Sequence, residues 1–178
     1  MEERIFISGV GGQGAILTGK LACYSALRRD HYASFLPTYG AAQRGGAASC
    51  TVVLSDEEIL SPVVEKLDTL IAFSQSGYNE GLPRLKEGGK LFVNSSQVKV
   101  DEEAVNGKYR VFSLPADKIA DELGVRKVSN IVMLGAYAKN GGVIALEDAQ
   151  YALEKNLSNK PELLELNKKA LVDGYEYV

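Results

Sequence analysis

A three-layer α/β/α fold, with a mostly parallel Rossmann-like sheet and a helical C-terminal third, is what this sequence predicts. Three observations predict it. The chain opens on a short β-branched run that breaks into Gly9-Val10-Gly11-Gly12-Gln13-Gly14 and then into a helix-period stripe. Further strand-like runs recur at helix-length intervals. The apolar spacing of the last third is helical throughout. At 178 residues the chain has the size of one domain, and no repeat, low-complexity tract or linker divides it. Residues 1–178 are therefore read as a single unit.

Each element has its own signal. Residues 4–8 (RIFIS) read as a buried strand cut off by Gly9. Over 14–28, Leu17, Leu21, Ala22 and Ala26 form one apolar stripe, which predicts a helix packed on a sheet. Gly19 inside it costs about 1 kcal/mol against alanine, which a close helix–strand approach would explain. A weaker strand is expected at 32–36, before Pro37, and stronger ones at 50–54 (CTVVL) and 69–73 (TLIAF). A helix at 78–86 is expected to end at Gly88 and Gly89, where left-handed residues are wanted. Strands at 90–93 (KLFV) and 109–113 (YRVFS) follow. Ser129 or Asn130 can cap a helix reaching Lys139, apolar on all sides and so buried or part of an interface. Asn140, Gly141 and Gly142 stop it. Ala149, Ala152 and Leu153 mark another helix, and Pro161 suits the first turn of a last one through Leu163, Leu164 and Leu171.

Bulk properties exclude several functions. A net charge of −3 and a pI near 5.3 lack the concentrated basic surface that nucleic acid demands. The longest apolar runs fall far short of the ~20 residues a spanning helix needs, so no membrane is expected. Neither a secretory signal nor a disulfide framework is visible, and a cytoplasmic location is expected. Cys23 and Cys50 read as reduced core residues and are too few for an iron–sulfur cluster, which usually takes four thiolates. The acidic run at 101–103 reads as a solvated loop or a helix start. His31, the lone histidine, reads as a surface or packing residue.

The glycine turn matches G-x-G-x-x-G in the position where that motif has meaning, between a first strand and a first helix. Small residues there leave amides free to meet an anion, which the helix N-terminus favours. A dinucleotide site, however, wants an acid about 20 residues on, at the end of the second strand. That strand runs into Phe35-Leu36-Pro37-Thr38, and Asp30 stands at its wrong end. Gly9, Gly11, Gly12, Gln13 and Gly14 remain a candidate anion or partner loop, with a purely structural turn as the alternative. A second small-residue cluster, PTYGAAQRGGAA, contains Tyr39, Arg44, Gly45 and Gly46. Arg44 offers a planar fork of donors, and the glycines allow close approach of a partner or ligand. So apolar a loop is costly to expose, which favours a covered contact position over a mobile surface loop.

GVGGQG, PTYGAAQRGG, SPVVEKLDTLIAF, LKEGGKLFVNSS and SNIVMLGAYAKN succeed one another here in a familiar order. In them the chain resembles the gamma subunits of 2-oxoacid:acceptor oxidoreductases of the ferredoxin or flavodoxin type, from about residue 4 to residue 175. It departs at Ala41-Ala42, where the family commonly carries Pro-Glu. The resemblance implies a heteromeric complex that oxidatively decarboxylates a 2-oxoacid to an acyl-CoA and passes electrons to ferredoxin or flavodoxin. It implies alpha, beta and in some complexes delta partner subunits carrying thiamine diphosphate, magnesium and iron–sulfur clusters, with CoA as a substrate. This chain would then bind no cofactor or metal alone and carry no catalytic residue. Its role would be structural, with a contribution to the CoA site, and its orphaned interface could form a homodimer in isolation. A free chain of this kind looks slightly more like the 2-oxoglutarate type. The rival reading, from the turn alone, is a free-standing oxidoreductase domain that binds a dinucleotide or another phosphate ligand.

Overall fold

The structure is a computed structural model that describes residues 1–40 and 46–178. In chain order the elements are β1 (Glu2–Val10), α1 (Ala15–Leu27), β2 (Tyr32–Tyr39), β3 (Ala47–Ser55), β4 (Leu67–Ala72), α2 (Gln75–Gly81), β5 (Leu85–Asn94) and α3 (Glu102–Val105). There follow β6 (Arg110–Leu114), α4 (Ala116–Glu122), α5 (Ser129–Asn140), α6 (Leu146–Asn156) and α7 (Leu164–Tyr177). The six strands form one sheet in the order β2-β3-β1-β4-β5-β6. From β1 to β6 the pairings are parallel, while β3 lies antiparallel to both β1 and β2.

Alternation along the strands sends side chains to two unequal cores. Ile5, Ile7, Cys50, Val52, Leu54, Ile71 and Phe92 face α1 and the C-terminal helices. Phe6, Val53, Leu70, Leu91 and Val93 face the smaller layer, which holds Tyr78 of α2 and Val105 of α3. The helix predicted to be buried or interfacial, α5, lies in the larger core, with every residue from Ser129 to Ala138 buried. It is tight against α7: a Cβ on Gly135 would fall on the carbonyl of Leu171, and one on Gly174 on that of Val132. The close approach expected at Gly19 is present, since a Cβ there would meet Sγ of Cys50 on β3.

Several boundaries differ from expectation, each for a physical reason. β2 runs through Pro37, because it is the edge strand and a missing N–H is tolerated there. The helix expected at 78–86 is α2, ended early at Gly81 by the turn Leu82–Arg84 around Pro83. Gly88 and Gly89 therefore end no helix. They lie in a bulge of β5, where pairing with β4 jumps from Leu67↔Leu85 to Thr69↔Lys90. Neither Ser129 nor Asn130 caps α5: both lie inside its first turn, and Val128 precedes it. Pro161 opens a short 3-10 turn, Pro161–Leu163, that leads into α7.

A buried polar knot ties the first strand to α5. The Glu3 carboxylate accepts from Tyr137 Oη at 2.9 Å, Thr69 Oγ1 at 2.5 Å and Lys90 Nζ at 3.2 Å. Lys90 also donates to the Gly141 carbonyl, just past the end of α5. Burial first, and the Glu3 charge second, hold the Tyr137 phenol well above its usual range, so it stays a donor. Glu3→Ala would leave the Tyr137 phenol without its acceptor and the buried Lys90 ammonium without its counter-charge. The expected loss is about 3–5 kcal/mol in urea unfolding, against about 1–2 kcal/mol for Tyr137→Phe.

Candidate functional site

Between β1 and α1 the glycine turn is shaped chiefly by one side chain. Gln13 folds back so that its Oε1 accepts from Val10 N at 2.7 Å and its Nε2 donates to the Phe73 carbonyl at 3.1 Å. Phe73 lies just past the end of β4, and its own N–H donates to the Ser8 carbonyl at 2.8 Å. Gln13 N donates to Val10 O at 3.1 Å, and Gly11 N to Gly46 O at 2.8 Å. The amides of Val10, Gly11 and Gln13 are thus spent inside the protein and face no ligand. Two glycines are obligatory for this packing. A Cβ on Gly9 would lie 2.7 Å from Oε1 of Gln13, and Gly14 combines a φ of +79° with Asn130 side-chain atoms 2.7–2.9 Å from where its Cβ would be.

These bonds bear directly on the dinucleotide reading. In doubly wound sheets ligands bind where successive crossovers diverge to opposite faces. Here α1 and α2 diverge after β1 and β4, and Gln13 together with the Phe73 carbonyl fills that crevice. The second strand is not beside the first. With β3 between them, the end of β2 stands two strand spacings, about 10 Å, from β1. Asp30 precedes β2 by two positions, at the opposite end of that strand from the turn. A dinucleotide would find the Val10, Gly11 and Gln13 amides already bonded and no acid at the end of β2.

The open space lies on the other side of the turn. A cleft of about 540 Å³ runs between the turn, the first turns of α1 and the facing ends of β2 and β3. Its walls include Ile16, Leu17, Phe35, Tyr39, Gly46 and Ala47, with Lys20 supplying an ammonium. The amides of Ala15, Ile16 and Leu17 have no intrahelical acceptor, because the helical ladder starts with Thr18 N on Gly14 O at 2.9 Å. Among the described residues of the lining, Lys20 and Tyr39 are the titratable side chains, a pair without a nucleophile–base or acid–base geometry. The arrangement suits contact with an apolar segment or with one negative group, not bond-making chemistry.

The structure thus gathers Gly11, Gly12, Gly14, Tyr39 and Gly46 around one cleft and turns Gln13 and Gly9 inward. Arg44 and Gly45, like Ala41-Ala42, lie outside the described residues. Lys20 and Phe35 escaped the sequence reading. Lys20 could have been found as the exposed position six residues beyond Gly14; Phe35 reaches the cleft only through the β2–β3 pairing.

Among the described residues, the lining of the cleft includes no His, Cys, Asp or Glu. Burial pushes the Cys23 and Cys50 thiols up to about 12, with the neighbouring Cys23 adding to the rise at Cys50. Both are protonated core thiols in the folded chain. Among the described residues no three His, Cys, Asp or Glu side chains converge, and no helix is long and apolar enough to cross a membrane. His31 is half-buried before β2, its Nδ1 without a hydrogen-bond partner among the described residues.

Comparison with known proteins adds a lineage to this geometry. The family described as pyruvate ferredoxin/flavodoxin oxidoreductase matches residues 4–177. Ketoisovalerate oxidoreductase subunit VorA of Methanothermobacter marburgensis is 32% identical over 178 residues, covering 99% of this chain but 36% of its own length. The chain thus spans about a third of that relative. The 2-oxoglutarate synthase subunit KorC of the same organism is 36% identical, with 100% of this chain and 97% of KorC covered. Among solved structures, the keto/oxoacid ferredoxin oxidoreductase gamma subunit of Geobacter sulfurreducens PCA superposes with a TM-score of 0.80 at 34% identity, covering 98% of this chain and 96% of that one.

Two measurements test the site. Gln13→Ala removes both side-chain bonds of the turn and should cost about 1–2 kcal/mol in chemical denaturation; Gly14→Ala, strained and crowded at once, should cost at least as much. An unchanged midpoint for both would show that the turn is not held in this way. With pKa values of about 12, the two thiols should react with a disulfide reagent at pH 8 only after unfolding; rapid titration of the folded chain would contradict their burial.

Proposed function

The chain belongs to the pyruvate ferredoxin/flavodoxin oxidoreductase family, and from that premise we propose that it is the gamma-type subunit of a 2-oxoacid:ferredoxin-type oxidoreductase complex. The observation that carries this reading is the end-to-end match to a free-standing 2-oxoglutarate synthase subunit, 97% of which is covered. In this reading the chain is a structural part of a cytoplasmic assembly that converts a 2-oxoacid and CoA to an acyl-CoA and hands electrons to ferredoxin or flavodoxin. Thiamine diphosphate, magnesium and the iron–sulfur clusters reside on alpha, beta and any delta partners. The amides bonded within the turn support a structural role for it.

The cleft beside the glycine turn is the contact site of this reading. Apolar walls with one ammonium suit a partner segment, and a contribution to the CoA site would run through Lys20. The relatives' names support the 2-oxoacid class, with 2-oxoglutarate favoured by the similarity to KorC.

Gentle affinity purification of the tagged chain from its native cells should recover partner subunits that hold thiamine diphosphate and iron. The purified chain alone, titrated with NADH, should show no saturable binding in the micromolar range. Stoichiometric nicotinamide binding by the lone chain, or recovery without partners, would favour a free-standing oxidoreductase domain instead.

A further inference from the structure

A second cleft, of about 560 Å³, opens where the outer faces of α1 and α6 meet. Lys20 and Tyr24 stand on one stripe of α1, which Arg28 continues just past its end, and Tyr151 and Lys155 stand on one stripe of α6. On the inner faces of the same helices Ala22, Ala26, Ala149 and Ala152 are buried in the larger core. Small side chains there let the two helices pack closely, which sets the two stripes across from each other.

The cleft concentrates positive charge in a chain that is negative as a whole. Three cations line it and no Asp or Glu does, whereas the chain carries 20 Lys and Arg against 23 Asp and Glu. Among the described residues, tyrosine rings rather than carboxylates hold the two lysines. Lys20 Nζ lies 5.7 Å from the centre of the Tyr24 ring, and Lys155 Nζ 5.4 Å from that of Tyr151. A ring attracts a cation without neutralising it. Glu154, next to Lys155 in the chain, is paired with Lys168 at 2.7 Å. Arg28 also lies 5.3 Å from the Tyr151 ring, and it shares the buried Asp148 carboxylate with Arg29. Two guanidinium groups on one carboxylate leave a surplus positive charge.

Helix ends account for part of this pattern. Lys155 lies in the last turn of α6 and Arg28 just past the last turn of α1, where unpaired carbonyls favour a cation. Lys20 has no such reason, since it lies in the middle of α1. Like charges around one concave surface repel one another and focus their field on an anion that enters.

The lining suits a phosphate. Three cations overcompensate a lone carboxylate, while a phosphate monoester brings nearly two charges and three acceptor oxygens. Lysines meet it as point charges and Arg28 as a fork of donors. Asn156, Ser158 and Asn159 add carboxamide and hydroxyl donors on the same wall. Leu27, 51% exposed, and the Tyr24 ring supply an apolar wall for an organic group. The cleft has the size of a small-molecule site. It is not the extended basic surface that a nucleic-acid backbone follows.

We propose that the cleft between α1 and α6 binds a small phosphate ester, with its phosphoryl oxygens among Lys20, Arg28 and Lys155 and its organic group against Leu27 and Tyr24. Among the described residues this site shares Lys20 alone with the cleft beside the glycine turn, and the proposal does not depend on the subunit reading. Calorimetric titration of the purified full chain with ADP at low ionic strength tests it. Saturable binding with a Kd below about 1 mM is expected, weakening as salt is raised. ADP should bind severalfold more tightly than pyrophosphate, and adenosine should not bind. Lys155, exposed and part of this cleft only, is the residue to change. Lys155→Gln should weaken ADP at least about fivefold and melt within about 2 °C of wild type, while Lys155→Arg retains binding. If the glutamine variant melts lower, Lys155→Met keeps the stem over Tyr151 and removes the same charge. Failure of the wild type to bind ADP overturns the proposal, as does an affinity that a folded Lys155 variant leaves unchanged. Three other results would overturn it as well. Equal affinity for pyrophosphate would leave an ion site only. Binding of CoA without ADP would assign the cations to the CoA path. Binding of a polyglutamate peptide in place of ADP would assign the cleft to an acidic protein segment.

Discussion

Nine consecutive residues of β1 pair antiparallel with β3, from Glu2↔Ser55 to Val10↔Ala47, and the remaining architecture follows from that ladder. The hairpin partner of β2 occupies the sheet position where a dinucleotide-binding fold has its second parallel strand. β2 is consequently pushed to the edge, where Pro37 can be accommodated and where Tyr32, Leu36 and Tyr39 are exposed. The same ladder brings Gly46, just before β3, within reach of the Gly11 amide. One pairing thus fills part of the turn's donor capacity, opens the cleft beside α1 and leaves β2 as an edge strand.

The glycine turn shows how a motif can keep its shape and change its use. Its glycines are required by close packing, at Gly9 against Gln13 and at Gly14 against Asn130. Gln13 then takes up the Val10 amide with its own carboxamide and joins the turn to Phe73. Buried polar groups seek partners, and a side chain three residues along the chain supplies them more cheaply than a bound ligand. The result is a rigid, ligand-independent junction between the first and fourth strands. Rigidity of that kind suits a component that presents fixed surfaces to other subunits.

The polar knot around Glu3 does comparable work at the opposite end of the sheet. Four elements, β1, β4, β5 and α5, meet at one carboxylate. The unsatisfied alternatives are costly, which specifies how the helical third seats on the sheet. With both ends secured, two clefts beside β2 stay open, one bordered by Lys20 and one by Leu27. The two lie toward opposite ends of β2, as Tyr39 lines the first and Tyr32 the second.

The sequence by itself determined the class of fold, the alternation of strands and helices, the close approach at Gly19 and the burial of the helix around Leu134. Those features are written in local periodicity and in glycine placement, which act over a few residues. It also carried the family likeness, because the two glycine clusters lie at a recognisable spacing. It misplaced Gly88 and Gly89, since a glycine pair in a bulged strand has the same local signature as one at a helix end, and only the register of β5 on β4 separates them. The antiparallel course of β3, the inward turn of Gln13 toward a carbonyl sixty residues away and the gathering of Leu27, Tyr32 and Ile59 around one cleft were decided by tertiary structure. They depend on which strands become neighbours, a choice made by long-range burial and hydrogen bonding that no short window of residues encodes.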